Sequence, residues 1–465
     1  MLFRSVKGSN GVRYDVGGYA YFKAVIDSLR HSAESITEAC LVLDAGDNFQ
    51  GTAVSGMTRG ASQIKLLNIL HPDAVTLGNH EFDYGWQNID SLMRFKTMFD
   101  VVNANITFND GREFSPPYLI KQIGSLRIAI IGLITDNLVN LTLPQKMIGL
   151  KVNTCAKTLR KFLPEIRKAK PDLIIVLSHI GVEADVELAM EFPEVDLFVG
   201  GHSHTPLFEP RKVGRSIIVQ AGSRGQFVGD LELDIDSKGD SVISYSGRLI
   251  ETKNVGITAD PAITEQVQLI EAPVEARLGE TIGILEKDWT VPHGESSNLA
   301  SFEATVFREE LGAAIGVINF GGLRKTLLAG PITMRDIYEI NPFGNDMVTF
   351  AVTGAEIKPI LEWVTGGKGN EACEFSGITC KFNKSKKYGN RISAILVGGK
   401  KLDLKKHYSV ATNNFIASHL HGMFGIEEAM HPINPAGIYD FDLIVAAVRK
   451  RKVISGEYSI WMNKE

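Results

Sequence analysis

Four stretches in the first half of the 465-residue chain end an apolar run in side chains that hold metals or move protons. LVLDAGDNFQG carries Asp44 and Asp47, and AVTLGNHEFDYG carries Asn79, His80 and Asp83. LIIVLSHIG ends in His179, and LFVGGHSHT in His202 and His204. Carboxylate, carboxamide and imidazole together suit intermediate divalent ions such as Zn²⁺, Mn²⁺, Fe²⁺ or Co²⁺. In open α/β sheets ligands gather beyond the carboxyl ends of the strands, so loops distant in sequence would converge there. Taken singly, each residue has a plainer explanation: a His after a strand packs or caps, Asp47 closes a turn, and the glycines punctuate. The set of four in order, each after an apolar run, is what points to a metal centre.

Strands and helices alternate around these residues. Tyr19 to Leu29 and Ala61 to Leu70 have helical periodicity, as do 154–169 and 183–191. The runs ACLVLDAGD, DAVTLGNHE, SLRIAIIGLIT, DLIIVLSHIG, DLFVGGHSH and RSIIVQAG read as buried strands. That alternation predicts an α/β domain with a mostly parallel or mixed sheet covered on both faces. FVGDLELDIDSKGDSVISYSGRLIE alternates apolar and polar residues around Lys-Gly-Asp and predicts an antiparallel hairpin. Asp260 before Pro261 marks a helix start, read as a linker helix. The remainder has its own strands (AIGVINFGG, MVTFAVTG, ITCKFN, ISAILVGG, YSVATNNF) and at least two helices, enough for an independent core.

A chain of this length is expected to form two domains. With 44% hydrophobic and 22% charged residues, 45 Gly and 17 Pro, it is neither disordered, collagen-like nor disulfide-built. No apolar run approaches a membrane span, and the net charge of -5 argues against a general nucleic-acid or acidic-membrane binder. The four cysteines are scattered, and Cys373 and Cys380 lack zinc-finger spacing.

The order GDNFQG, GNHEFDYG, SHIG, GGHSHT resembles the calcineurin-like metallophosphoesterases, and more narrowly the 5′-nucleotidase / UDP-sugar hydrolase / 2′,3′-cyclic phosphodiesterase family. NFGGLR, ITMRDIYEINPFGN and ATNNFIA resemble that family's C-terminal substrate-binding domain. The resemblance implies an N-terminal metallophosphoesterase α/β sandwich over 1–254, a linker helix over 255–276 and a C-terminal α/β 5′-nucleotidase domain over 277–465. It also implies two divalent ions, drawn from Zn, Mn, Co, Fe and Mg. Asp47 would bridge them; Asn79, His179 and His202 would hold one ion and His204 would reach the other. His80 would sit beside the phosphoryl group, oriented and kept protonated by Asp83. Two cations about 3.5–4 Å apart activate water, neutralise phosphoryl oxygens and steady the leaving group, which suits hydrolysis of a phosphate ester.

The family adds two ligands from an Asp-x-His at the end of its first strand, and no Asp here is followed two residues later by His. The resemblance thus implies an N-terminally truncated first domain, or a natural chain of weak or no activity that binds a phosphorylated ligand. Arg324, Asn345 and Phe415 are the implied substrate contacts, with a guanidinium suited to phosphate and a ring suited to a base. The family's second base-clamping ring falls at Ala372, and His421 stands where a ribose-binding Asp is expected, so another ester (a cyclic nucleotide, a UDP-sugar or a sulfur compound) stays open. His419 and His421 are expected on a surface loop. The implied partner is a small nucleotide or phosphate ester, not nucleic acid, and the implied location is periplasmic or extracellular, with any signal peptide upstream of Met1.

Overall fold

The computed structural model describes residues 4–7, 13–36, 38–236, 241–253, 256–292, 296–369, 371–456 and 461–464. It divides into two units, Met1–Ala272 and Pro273–Glu465, with the helix Pro261–Leu278 running across the division.

In the first unit the apolar runs form two sheets. Leu126–Ile134, Leu173–His179, Leu197–Gly200 and Ser216–Gln220 lie side by side and parallel. Tyr118–Ile123 and Arg211–Val213 pair antiparallel on the two edges. Every residue of Leu173–His179 is buried, the mark of a strand covered on both faces, and that is why it reads as an unbroken apolar run. A second, parallel sheet consists of Leu43–Asp44, Ala74–Thr76 and Asp100–Val102. Ala74 and Val102 share one core with Ile128, Ile130, Leu173, Ile175 and Leu177, so the sheets stack face to face. Helices Cys155–Lys168 and Val182–Glu191 cover the outer face of the large sheet, and Tyr19–Ser35, Ala61–Leu70 and Trp86–Phe95 cover the small one. Thr154 starts the first of these by accepting the Lys157 N–H. The expected hairpin forms, with Phe227–Asp236 antiparallel to Ser241–Glu251. Its Lys-Gly-Asp turn lies outside the described residues. The helix Trp86–Phe95, the Tyr118–Ile123 edge strand, and the Arg4–Lys7 and Arg13–Val16 pair add to the elements expected from the sequence.

The second unit is built on a five-stranded mixed sheet ordered Cys373–Ser376, Ile315–Asn319, His407–Asn413, Asp346–Thr353, Asn434–Tyr439. One core, with Leu299, Phe307, Ile337 and Val448, packs helices Asn298–Glu310, Met334–Ile340 and Asp440–Arg451 against it. The other holds Gly354–Thr365 and the Ile378–Phe382/Ile392–Val397 hairpin. The fold is thus the expected two-domain mixed α/β architecture.

A pair of buried acids in this unit ties its stability to pH. Glu303 and Asp440 are fully buried near one another, and burial, with Asp440 adding to it, pushes Glu303 up to about 8. Burial likewise lifts Asp440 to about 7. An acid whose folded pKa lies above its unfolded one binds more protons folded, so its contribution is full below the unfolded value and is lost as pH rises through the folded one. Thermal unfolding of the full chain should therefore show stability falling between pH 4.5 and about 8, by up to about 1.4 kcal/mol per pH unit for each group. Glu303→Gln should flatten that decline, and an unchanged profile would remove Glu303 as its cause.

Candidate metal centre

The C-terminal ends of the first unit's parallel strands deliver the chemistry. Asp47 follows Leu43–Asp44, Asn79 opens the 3-10 turn Asn79–Phe82 just after Ala74–Thr76, His179 closes its own strand, and His202 follows Leu197–Gly200. Asp47, His179 and His202 each offer a ligand atom, and these atoms lie within 4.8 Å of one another. Asn79 Oδ1 joins them, 3.0 Å from His202 Nδ1.

His179 shows what the trio is arranged to do. Its Nδ1–H donates to the Ala45 carbonyl at 2.6 Å, which leaves Nε2 as the nitrogen facing the centre. Nε2 is buried and lies 3.0 Å from Asp47 Oδ2, the ion-pair partner that holds a proton on it in the metal-free chain. Once that proton leaves, an imidazole nitrogen and a carboxylate oxygen face each other alongside His202 and Asn79, a donor set of two nitrogens and two oxygens that fits a divalent ion.

The electrostatics agree. Burial opposes the Asp47 carboxylate, but the imidazoles of His179 and His80 hold it well below the usual range. Burial likewise opposes the His179 imidazolium, and Asp47 outweighs it, lifting the pKa to about 9. Burial and the charge on His179 push His202 down to about 4, so at neutral pH its lone pair is available.

Close backbone approach makes the convergence possible. A Cβ on Gly78 would stand 2.2 Å from Asp47 Oδ1, and one on Gly201 would stand 2.9 Å from His179 Nδ1. Asp47, His202 and His204 all have left-handed backbones, at φ 63°, 75° and 58°. Non-glycine residues there hold strain of about 1–3 kcal/mol each, which surrounding bonds must offset.

His80 and Asp83 sit together beside this centre. Asp47 Oδ1 accepts the His80 backbone N–H at 2.9 Å, and His80 Nδ1 meets Asp83 Oδ2 at 2.9 Å. The same Asp83 oxygen accepts Gln50 Nε2 at 3.1 Å, and Lys146 Nζ donates to the Asp83 carbonyl. Burial lowers the Lys146 pKa, with Asp83 acting against it. His204 is exposed and stands outside the close trio, although its charge is felt at His202. Asp44 turns inward to Gly46 N and Asn48 Nδ2 at 2.8 Å each.

Two side chains that sequence reasoning passed over hold the loops in place. Glu81, 3% exposed, accepts backbone N–H groups from both the 47–49 and the 78 segments. Burial and Asp47 push its pKa up to about 7, against the pull of its N–H donors. Gln220 brackets the loop carrying His202 and His204: Nε2 donates to Gly201 O at 3.0 Å, while Oε1 accepts Thr205 N at 2.7 Å and Ser203 Oγ at 3.0 Å. Losing a residue that orients a ligand loop weakens metal binding about 10–100-fold. Gln220→Leu should show that loss in calorimetric Zn²⁺ titration, and unaltered affinity would deny the bracket any role.

The implied substrate residues Arg324, Asn345 and Phe415 all lie in the second unit. Arg324 is half-buried, with its backbone N–H on Ile340 O at 2.7 Å and Nη1 reaching Gly321 O at 3.3 Å. Phe415 is half-buried, its ring 4.7 Å from that of His419. Asn345 is 6% exposed, bonds Asp440 through its side chain, and accepts the Asp440 N–H on its carbonyl at 3.0 Å. The expected surface histidine His419 is instead 7% exposed, its Nδ1 on Phe415 O at 2.8 Å, whereas His421 is exposed.

Comparison with known proteins bears on these two units. Residues 15–206 match the calcineurin-like phosphoesterases, and 281–427 match the 5′-nucleotidase C-terminal domain. The chain is 27% identical to the trifunctional nucleotide phosphoesterase protein YfkN of Bacillus subtilis over 90% of its own length, although it spans only 32% of that protein. It is 28% identical to the 5′-nucleotidase of Vibrio cholerae, covering 87% of this chain and 82% of that one. Among solved structures, the 5′-nucleotidase precursor of Thermus thermophilus superposes with a TM-score of 0.87 at 27% identity, over 99% of this chain and 96% of the other.

Proposed function

This chain belongs to the family that joins a calcineurin-like phosphoesterase domain to a 5′-nucleotidase C-terminal domain, and on that premise we propose that it is a divalent-metal-dependent phosphohydrolase of nucleotides. The carrying observation is the cluster in which ligand atoms of Asp47, His179 and His202 lie within 4.8 Å of one another, with buried His179 Nε2 3.0 Å from Asp47 Oδ2. Asp47, Asn79, His179 and His202 are the residues that would hold an ion, with His204 reaching a second one. When bound, such ions supply Lewis-acid stabilisation of phosphoryl oxygens and a water of lowered pKa.

The chain's own residues do the rest. Ala45 O holds His179 in the tautomer whose Nε2 faces the centre. Asp83 engages His80 Nδ1, so proton donation to the departing oxygen and contact with developing negative charge fall to His80 Nε2. Gln50, on the same Asp83 oxygen, fixes the carboxylate and with it the ring. In the second unit, the Arg324 guanidinium is assigned to substrate phosphate and the Phe415 ring to base stacking. The burial of Asn345 against Asp440 favours a supporting role for it within that unit.

The test is phosphate release from a panel of nucleoside monophosphates, cyclic nucleotides and sugar nucleotides, with Mn²⁺, Zn²⁺ or Co²⁺ and with chelator. Turnover of at least one ester that chelator abolishes is expected. Absence of release from every ester under every metal would overturn the proposal.

A further inference from the structure

The ligand set described above does not explain Glu81. Its carboxylate is buried, and each oxygen takes two backbone N–H groups: Oε2 from Asp47 at 2.9 Å and Gly78 at 2.6 Å, Oε1 from Asn48 at 2.6 Å and Phe49 at 3.2 Å. Three consecutive N–H groups, 47 to 49, converge on this one side chain. They do so while Asp47 stands at φ 63°, in the left-handed region an aspartate does not ordinarily prefer. The fourth donor belongs to the glycine just before Asn79 and His80, so a single carboxylate stitches two loops that carry different functional groups.

We propose that Glu81 is a positioning residue that sets the geometry of the metal centre before any ion arrives, and that it couples Asp47 to His80. The inference rests on reading the trio as a metal site. Glu81 holds the Asp47 backbone, and the His80 N–H holds Asp47 Oδ1, which leaves Oδ2 turned to His179 Nε2. Take the carboxylate away and four buried N–H groups lose their acceptor together, a loss that the chain relieves by letting Asp47 relax towards ordinary φ. Ion binding would then have to reassemble the ligand set and would be weaker for it. Charge and acceptor number both matter, because a carboxamide presents one oxygen and turns an NH₂ towards two N–H donors. Glutamine is therefore no substitute here, despite its shape.

The test titrates the metal-free full chain with Co²⁺, following the visible ligand-field absorption of the bound ion. Glu81→Gln should bind Co²⁺ about 10–100-fold more weakly than wild type, with an altered spectrum. Glu81→Asp, which keeps both acceptor oxygens, should recover part of the affinity, and it carries the test if the Gln variant does not fold. Leu70→Ala, a core truncation in the same unit away from the centre, serves as a control for mere destabilisation and should bind Co²⁺ as wild type does. Wild-type affinity and spectrum in Glu81→Gln, or an equal loss in Leu70→Ala, would overturn the proposal. A wild-type chain that takes up no Co²⁺ at all would instead sink the metal reading beneath it, a result no Glu81 variant can mimic.

Discussion

Asp47→Asn is expected to remove phosphohydrolase activity by about a thousandfold or more, and to remove metal binding with it. Asp47 contributes to the centre three times over: a carboxylate oxygen facing His179 Nε2, a second oxygen fixing the His80 backbone, and a charge. Asparagine keeps the shape and loses the charge. The pH behaviour of the metal-free chain separates this account from simple misfolding. His179, lifted from 6.5 to about 9, is a base whose folded pKa exceeds its unfolded one. Its contribution is full below pH 6.5 and is lost as pH rises through about 9. Asp47 is an acid held low, so its contribution is present above the ordinary carboxylate range and disappears as pH falls through its depressed folded value. The wild-type chain in chelator should therefore lose stability between pH 6.5 and 9 more steeply than Asp47→Asn does, since the decline due to Glu303 and Asp440 is common to both. Metal binding must expel the same His179 proton, so wild-type affinity should climb about tenfold per pH unit over that interval. Calorimetric titrations at several pH values check this, and affinity independent of pH would contradict it.

How far the centre was readable in the chain depends on the kind of contact. His179 and His202 announced themselves because each ends an apolar run, and a strand buried on both faces cannot look otherwise. Parallel pairing then places those strand ends on one edge. Glu81 and Gln220 gave no comparable signal. Their partners are backbone N–H and C=O groups, which every residue possesses, so nothing in composition or spacing marks the pairing of Glu81 with residues 47–49. The left-handed backbones of Asp47 and His202 each follow a glycine, while that of His204, between Ser203 and Thr205, has no such neighbour. Asn345, implied by the resemblance as a substrate contact, bonds Asp440 far along the chain, a pairing that spacing does not mark. His419 was expected on a surface loop, and a polar residue in a Gly-containing loop reads as exposed until packing seats it against Phe415.

His80→Ala is expected to lower kcat about 10²–10⁴-fold while leaving metal content unchanged, the reverse of the pattern at Asp47. The difference follows from which atoms are engaged. His80 touches the ligand Asp47 only through its backbone N–H, which alanine retains, so Asp47 stays anchored when the imidazole goes. The imidazole itself, 12% exposed and bonded through Nδ1 to an equally buried Asp83, is a proton carrier held in one orientation. Asp83→Asn should act through that orientation: the carboxamide can still meet Nδ1, but it no longer stabilises a protonated ring. The alkaline limb of the kcat–pH profile should then move to lower pH, with a smaller fall in kcat than His80→Ala gives. If His80 only filled space, the Asp83 substitution would leave the profile where it was, and a leaving group needing no proton would lose as much rate in His80→Ala as a poor one. Comparing p-nitrophenyl phosphate, whose phenolate departs readily, with an alkyl phosphate ester decides between the two. A proton-donating His80 predicts a large deficit on the alkyl ester and a small one on the nitrophenyl ester, and equal deficits would place the role of the ring in binding instead.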